Sequence, residues 1–182
     1  SLAHCGVLFL DELPEFSKSS LETLRQPLED GKLTITRARA SCTFPSRFML
    51  VAAMNPCRCG YYGIDGHRCR CTPAQVQAYQ SRLSGPLLDR FDLQIQVRGL
   101  TAEEVERITP GESSSAVRTR VIQARTIQEE RFHQLSISCN GEMEGRQIVE
   151  FCRLTRESSL LLRESFEKLS LSARAYDRIC KV

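Results

Sequence analysis

The chain has 182 residues, and its 25 Lys and Arg are nearly balanced by 22 Asp and Glu, giving a net charge of +3 at pH 7. That total is too small to indicate a polyanionic partner, because the fields that attract nucleic acid come from local charge clusters. The hydrophobic share of 41% is ordinary for a globular protein, and no apolar stretch approaches the roughly 20 residues of a membrane-spanning helix. We therefore expect no membrane insertion, and the length suits one domain plus a smaller one.

The first predicted element is the apolar run at residues 7–10, which ends in two adjacent carboxylates, Asp11 and Glu12. We expect a buried parallel strand that places both carboxylates at its carboxyl end, where open α/β sheets bind ligands. One carboxylate could hold a magnesium ion while the other polarises an attacking water. The alternative is an ordinary buried strand that runs into an acidic turn.

The next elements are a helix and a hairpin. Residues 17–29 carry leucines at helical spacing, with serines available as the N-cap and Gly31 as the C-terminal stop. Residues 32–36 and 41–44 are β-prone runs around a basic turn, which predicts a β-hairpin.

A second buried strand is predicted at residues 48–53. Asn55 then sits at the strand end, because Pro56 disfavours a helical continuation through it. After a loop rich in Gly, Cys and Tyr, residues 73–83 predict a helix with proline in its first turn, and residues 85–91 a short helix.

The remaining patterns divide the chain. Residues 92–97 alternate apolar and polar side chains and predict a third strand, and residues 101–104 form a capping-box pattern that opens a helix. Residues 109–115 break every periodicity and predict a linker. We therefore expect an α/β domain at 1–108 and an all-helical domain at 116–182.

The loop after Asn55 contains two Cys-Arg-Cys pairs, and their thiols are Cys57, Cys59, Cys69 and Cys71. Four thiolates so placed could surround one tetrahedral zinc ion, although C-x-C is tighter than the usual spacing. Such a site would be structural, because four sulfur ligands leave no open position. Free thiols and a redox-labile disulfide are the alternatives, and His67 is a spare ligand.

The acidic strand, the strand ending in Asn55 and a later arginine follow one another in the order found in ring ATPases. At these motifs the chain resembles the AAA+ ATPases, and more narrowly the magnesium-chelatase-like, competence-related family of ComM type. The matching segments are GVLFLDE at 6–12 (Walker B), AMNP at 53–56 (sensor 1), SGPLLDRFD at 84–92 (arginine finger) and LSARAYDR at 171–178 (sensor 2). The resemblance implies part of a P-loop-type α/β core followed by an α-helical lid.

The resemblance also implies a role for each site residue. Asp11 would organise Mg²⁺, Glu12 would activate water, and Asn55 would orient that water or contact the γ-phosphate of ATP. Arg90 would enter the active site of the adjacent subunit and stabilise the transferring phosphoryl group. Arg174 would be the sensor 2 arginine.

The sequence also allows a purely structural explanation for each of the two arginines. Arg90 could be an exposed helix-end arginine that pairs with Asp89 or Asp92, and such surface pairs contribute little to stability. Arg174 could simply be solvated, and Arg178 lies one helical turn away as a competitor for its role.

The resemblance identifies residues 31–44 as the pre-sensor β-hairpin, which points into the central pore in related ring motors. Lys32, Arg37 and Arg39 would then face a translocated polymer and contact phosphates without reading sequence. The alternative is a solvated hairpin edge whose charges block aggregation.

The cysteine loop also carries a basic and aromatic cluster. Its arginines and tyrosines are residue types that hold single strands by phosphate contacts and stacking; they are Arg58, Arg68, Arg70, Tyr61 and Tyr62. We expect a second, smaller nucleic-acid contact there.

No G-x-x-x-x-G-K-[ST] phosphate loop occurs in these 182 residues, and in the family that loop precedes Walker B. We therefore expect a fragment that exposes apolar surface and alone neither binds ATP tightly nor hydrolyses it. The resemblance implies that the intact protein is a DNA-translocating or branch-migrating ATPase that forms a hexameric ring. The alternative is a chelatase-type ATPase that remodels a protein partner for metal insertion.

The number of cysteines and the first residues of the sequence together predict the cellular compartment. Nine cysteines in a chain of this length, beside an apparent nucleotide site, fit a reducing compartment better than a disulfide framework. The first residues lack the basic stretch and apolar core of a secretory signal. We expect a cytoplasmic protein.

Overall fold

The computed structural model describes residues 1–37, 40–64, 68–107 and 110–182. They form two compact units, Ser1–Gly99 and Leu100–Val182. The first unit contains strands and helices, whereas the strands end before the second unit, which is helical. The predicted fold class, an α/β part followed by an α-helical part, is confirmed. The domain bounds proposed from the sequence stay a prediction, and residues 108 and 109 lie outside the described ranges.

The strands of the first unit are β1 (Val7–Leu10), β2 (Lys32–Arg37), β3 (Ala40–Pro45) and β4 (Met49–Ala52). β1 pairs with β4 in parallel, and β2 pairs with β3 in an antiparallel hairpin. The acidic strand and the strand that precedes Asn55 are therefore neighbours in one sheet, as the sequence predicts.

The helices of the first unit are α1 (Lys18–Glu22), α2 (Arg25–Asp30), α3 (Pro73–Gln80) and α4 (Gly85–Leu88). The predicted single helix at 17–29 is thus two helices. Ser17 caps α1 as expected, because its hydroxyl accepts a hydrogen bond of 3.1 Å from the backbone N–H of Ser20. Pro27 accounts for the break, since it has no N–H to donate to the carbonyl of Thr23 four residues earlier.

The core of the first unit consists of Leu13, Leu21, Leu83 and Leu87, and the strand residues Leu10 and Ala52 pack against it. The opposite sheet face is open within the described residues. Its side chains are exposed by 39–59%, namely Val7, Phe9, Met49 and Val51. The prediction that these strands are buried is wrong for that face, because among the described residues the core packs only against the face that carries Leu10 and Ala52. The expected exposure of apolar surface is confirmed.

The third strand predicted at residues 92–97 is absent from the described structure. Leu93, Ile95 and Val97 are 65%, 81% and 84% exposed, and the segment has no strand pairing. An alternating pattern defines two faces, but a strand also needs a partner edge for its backbone hydrogen bonds. The β1–β4 sheet has only its two strands within the described residues.

The second unit contains α5 (Ala102–Glu106), α6 (Ser114–Arg131), α7 (Gly145–Phe151), α8 (Arg156–Lys168) and α9 (Ala173–Lys181). The predicted capping box is present at Thr101 and Glu104, each side chain bonding the other residue's backbone N–H. A second core of Phe132, Met143 and Ile148 lies between the end of α6, α7 and α9, with Phe151 and Cys180 packed against it. Within the described ranges, none of the helices combines the length and apolar character that crossing a bilayer requires.

Gly31 ends α2 and starts the hairpin, and its φ of 61° lies in the left-handed region. A Cβ there would lie 2.8 Å from Cγ of Arg47. We expect Gly31→Ala to lower the free energy of unfolding by about 1–2 kcal/mol, measured by urea denaturation. Gly85→Ala is the control, because its Cβ meets no atom within 4 Å. Equal stability of the two variants would contradict the prediction.

Candidate functional site

Two acidic residues, Asp11 and Glu12, follow directly after the carboxyl end of β1. The backbone N–H of Glu12 donates a hydrogen bond of 2.9 Å to Asp11 Oδ1. Glu12 itself has a φ of 50°, a left-handed conformation that is uncommon for a residue other than glycine. Both side chains are exposed. The turn therefore presents two carboxylates to solvent at the sheet edge, and carboxylate oxygens are ligands that hard cations such as Mg²⁺ prefer.

Asn55 lies at the same edge. The N–H of Ala53 donates to the carbonyl of Leu10, and the N–H of Leu13 donates to the carbonyl of Ala53, each at 2.9 Å. These two bonds connect the segments that directly follow the neighbouring strands. Asn55 lies two residues after Ala53, and its side chain is exposed. The structure thus brings Asp11, Glu12 and Asn55 to one sheet edge. Their catalytic roles stay predictions.

Tyr79 on α3 is a neighbour of this edge that the sequence analysis missed. Its side chain is 7% exposed, and burial, together with the charges of Glu15 and Glu12, raises the pKa of Tyr79. The phenol therefore keeps its proton and remains a hydrogen-bond donor. The signal for it was the spacing of Val76 and Tyr79, which puts both on one face of the predicted helix.

Arg82, just after α3, ties this region to the acidic turn. Its Nη1 donates to the carbonyl of Pro14 at 2.8 Å and to Glu15 at 3.1 Å. The Arg82–Glu15 side chains are 50% and 53% exposed, so their ion pair contributes little, while the bond to a backbone carbonyl fixes the geometry.

Arg90 is neither a free finger nor an exposed helix-end residue. Its side chain is 8% exposed, and Nη2 lies 2.6 Å from Glu29 Oε2. Nη1 donates to the carbonyl of Pro86, while Nε is buried without a hydrogen-bond partner within the described residues. The sequence alternative named Asp89 or Asp92 as the acid, and no sequence pattern pointed to Glu29. The role of Arg90 in an adjacent subunit stays a prediction.

The segment that carries Arg90 is held at both ends. Ser84 caps α4 through the N–H of Leu87, and its hydroxyl donates a hydrogen bond of 2.6 Å to Glu22. That bond, with a smaller contribution from Arg25, lowers the pKa of the Glu22 carboxyl. Glu22 on α1 and Glu29 on α2 thus anchor the two ends of the arginine segment.

The basic hairpin residues are only partly brought together. Lys32 lies opposite Pro45 and Arg37 opposite Ala40, at the two ends of the ladder. They are five residue steps apart along the strand, about 17 Å, and the odd spacing puts their side chains on opposite faces. Arg39 lies outside the described residues. Arg37 is therefore the described basic residue at the far end of the hairpin, whereas Lys32 is at its base.

The four loop cysteines converge. Their sulfur atoms all lie within 4.8 Å of one another, and Cys57 Sγ is 3.3 Å from Cys59 Sγ and 3.7 Å from Cys69 Sγ. All four are free thiols. A zinc ion with bonds of about 2.3 Å sets its tetrahedral sulfurs about 3.8 Å apart, so this donor set, completed by Cys71, fits the metal. His67 lies outside the described residues.

The thiols of this cluster differ in acidity. Backbone N–H groups of Tyr61 and Arg70 donate to the sulfur of Cys59 and lower the pKa of its thiol to about 6. For Cys69, the N–H of Cys71 acts in the same direction, but burial and the neighbouring thiols prevail and raise its pKa to about 12. The loop backbone is therefore already arranged to stabilise negative charge on sulfur, which metal ligation requires.

Arg174 and Arg178 belong to the second unit. Ser172 caps α9 by accepting from the N–H of Ala175 at 3.1 Å, which places Arg174 in the first turn of the helix. Arg174 is exposed and Arg178 is half-buried. The sensor 2 assignment stays a prediction.

Comparison with protein families gives two matches that cover most of the chain. The family described as "Magnesium chelatase, subunit ChlI" matches residues 1–105. The family described as "Magnesium chelatase, subunit ChlI C-terminal" matches residues 111–182.

Individual relatives resemble the whole chain. It is 46% identical to the uncharacterized protein YifB of Escherichia coli K12 and 44% identical to YifB of Salmonella typhimurium, each over 186 aligned residues. It is 46% identical over 183 residues to the competence protein ComM of Haemophilus influenzae. All of this chain is covered in these alignments, but only 35% of each relative. The chain thus spans about a third of the length of these relatives.

The Arg90–Glu29 pair predicts an unequal effect of two glutamate substitutions. Glu29→Ala removes the carboxylate that faces a guanidinium only 8% exposed, and we expect a loss of about 1–2 kcal/mol in the free energy of unfolding. The matched control is Glu15→Ala, whose half-exposed pair with Arg82 should contribute at most about 0.5 kcal/mol. Urea denaturation compares them, and a control at least as destabilised as Glu29→Ala would refute the prediction.

Proposed function

The chain belongs to the magnesium chelatase subunit ChlI family, and from that membership we propose that it is part of an AAA+ ATPase whose ring acts on DNA. The observation that carries the proposal is the shared edge of β1 and β4, where Asp11, Glu12 and Asn55 lie together. An ATPase needs carboxylates for Mg²⁺ and water beside a polar group that contacts the γ-phosphate. This edge supplies those groups on neighbouring strands.

The proposed division of labour follows from position and charge. Asp11 would hold Mg²⁺, whose preference for carboxylate oxygen this exposed pair satisfies. The ion would neutralise charge on the ATP phosphates. Glu12 would orient and deprotonate the attacking water, and Asn55 would fix its direction. Arg174 would be the sensor 2 arginine of the family.

Arg90 would act in the site of the adjacent subunit, in a ring that we propose to be a hexamer. Its contact with Glu29 then means that the guanidinium must exchange one carboxylate for a phosphoryl group. Arginine suits the exchange because its planar fork binds both anions in the same way.

DNA is the proposed substrate of the ring, in translocation or branch migration. Arg37 at the far end of the hairpin supports this choice, since a basic tip in a pore contacts phosphates without reading sequence. A relative at 46% identity is named a competence protein, which favours the same substrate. We propose that Lys32 and Arg39 contribute to the same contact.

A second candidate is an ATPase that remodels a protein partner for metal insertion. It is favoured by the family's description as a magnesium chelatase subunit. Such a motor needs no nucleic acid, so the dependence of ATP turnover on DNA separates the two candidates.

ATP turnover tests the proposed function. In the full-length protein that contains this chain, we expect single-stranded or branched DNA to stimulate hydrolysis several-fold, and Glu12→Gln to abolish it, because the water loses its base. Arg37→Ala and Arg39→Ala should keep basal turnover and lose the stimulation. The 182-residue chain alone, which has no phosphate loop, should show no turnover. Full turnover that is indifferent to DNA would favour the protein-remodelling candidate.

We also propose that the cysteine cluster holds one structural zinc ion. The support is the approach of its four sulfurs, within 4.8 Å of one another, and the absence of a disulfide among them. A site of four thiolates is closed to substrate, so the metal would stabilise the loop and take no part in hydrolysis.

Metal analysis tests the zinc site. Purified protein should contain one zinc ion per chain when its metal content is measured by inductively coupled plasma mass spectrometry. Cys59→Ser or Cys69→Ser should reduce that zinc content at least severalfold. Cys139→Ser, outside the loop, is the control and should keep the ion. Wild-type protein with no zinc and four loop thiols that all react with a thiol reagent would contradict the proposal.

A further inference from the structure

The cysteine loop has an outer surface that neither the ATPase site nor the zinc site uses. In each Cys-Arg-Cys pair the thiols turn inward, since the four sulfurs converge within 4.8 Å of one another. The first pair lies in a turn, in which the N–H of Gly60 donates to the carbonyl of Cys57. The arginine between the two cysteines of each pair is left at the surface. Arg58 and Arg70 are exposed accordingly, while Cys57 is fully buried.

The convergence of the sulfurs also brings the two arms of the loop together. Cys59 Sγ lies 3.5 Å from Cys69 Sγ, so the arm with Arg58 runs beside the arm with Arg68 and Arg70. All three arginines are exposed, and no carboxylate in the described ranges forms an ion pair with them. The loop sequence opposes them with a single acidic residue, Asp65, which lies outside those ranges. The arginines therefore concentrate positive charge within a short loop.

Two aromatic side chains stand on the same loop. Tyr61 and Tyr62 are 46% and 48% exposed, and they follow a tight turn in which the N–H of Gly60 donates to the carbonyl of Cys57 at 3.0 Å. Gly60 has a φ of 85°, a conformation that other residues rarely adopt. The backbone thus directs two aromatic rings to solvent beside three cationic side chains.

We infer that this surface, made of Arg58, Arg68, Arg70, Tyr61 and Tyr62, binds single-stranded nucleic acid. The arginines contact successive phosphates, and the tyrosine rings stack on unpaired bases, which is how strands are held without sequence preference. A duplex fits less well, because its bases are already stacked on one another. The inference rests on the proposed function insofar as it takes a nucleic acid to be the polymer that the protein acts on.

The chain connects this surface directly to the sheet edge that carries Asn55. The loop begins directly after Asn55, and its far end leads into α3, which carries Tyr79. Gln80 at the end of α3 donates to the carbonyl of Pro56 at 3.1 Å, which closes the segment at its base. The proposed binding surface and Asn55 therefore belong to one continuous segment of the protein chain, which this hydrogen bond closes.

The test uses the full-length protein and fluorescence anisotropy with a labelled oligo-dT and a matched duplex, each over a salt series. Replacing Arg58, Arg68 and Arg70 together with Ala should weaken oligo-dT binding at least tenfold. It should also reduce the slope of log affinity against log salt by about 2, at roughly 0.7 for each single-strand phosphate contact. The matched control replaces Arg118, Arg125 and Arg146, which are equally exposed but lie in the second unit, and should leave the slope unchanged.

A second variant separates stacking from charge. Tyr61→Ala with Tyr62→Ala should weaken oligo-dT binding about tenfold or more with an unchanged salt slope, and should affect the duplex less. Zinc content and thermal melting of each variant should match the wild type, because all five side chains are exposed.

Oligo-dT binding and DNA-stimulated ATP turnover together distinguish an error in the proposed surface from an error in the proposed function. If oligo-dT binding and its salt slope are the same in the loop variant and the arginine control, the inference is wrong, even where Arg37→Ala abolishes DNA-stimulated turnover. If the loop variant loses binding while turnover ignores DNA, the surface stands and the proposed motor falls. If the wild-type protein binds neither oligo-dT nor duplex, both are wrong.

Discussion

The parallel pairing of β1 with β4 is the constraint on which the rest of the first unit depends. Its register sets Leu10 opposite Ala52, and the backbone bonds of Ala53 fix the chain where both strands end. A shift of one strand by one residue would turn either Leu10 or Ala52 away from the leucine core, so burial and hydrogen bonding select the same register. The shared edge of Asp11, Glu12 and Asn55 is a consequence of that register.

The same core joins this edge to the arginine segment and the hairpin. Leu87 on α4 packs with leucines from the turn after β1 and from α1, while Glu29 on α2 contacts Arg90. α2 then passes through Gly31 directly into β2. Arg90 and the hairpin are therefore connected through one helix, α2.

The cysteine loop follows a different rule, because its order comes from four converging sulfurs with little apolar packing. Cys57 is the buried member, and the arginines and tyrosines around it are exposed. A closed tetrahedral metal site suits such a loop, since it can hold polar and aromatic side chains outward without a hydrophobic core beneath them. The same Cys-Arg-Cys pattern therefore supplies both the converging thiols and the exposed arginines.

Sequence alone determined the features that depend on neighbouring residues. Local backbone and side-chain rules predict the two apolar strands, a serine cap before α1 and the stop at Gly31. Tertiary structure decided which surfaces are covered and which charges meet. Residues 92–97 alternate like a strand but have no partner edge among the described residues, and the acid that meets Arg90 is distant in sequence, so only the folded core could select it.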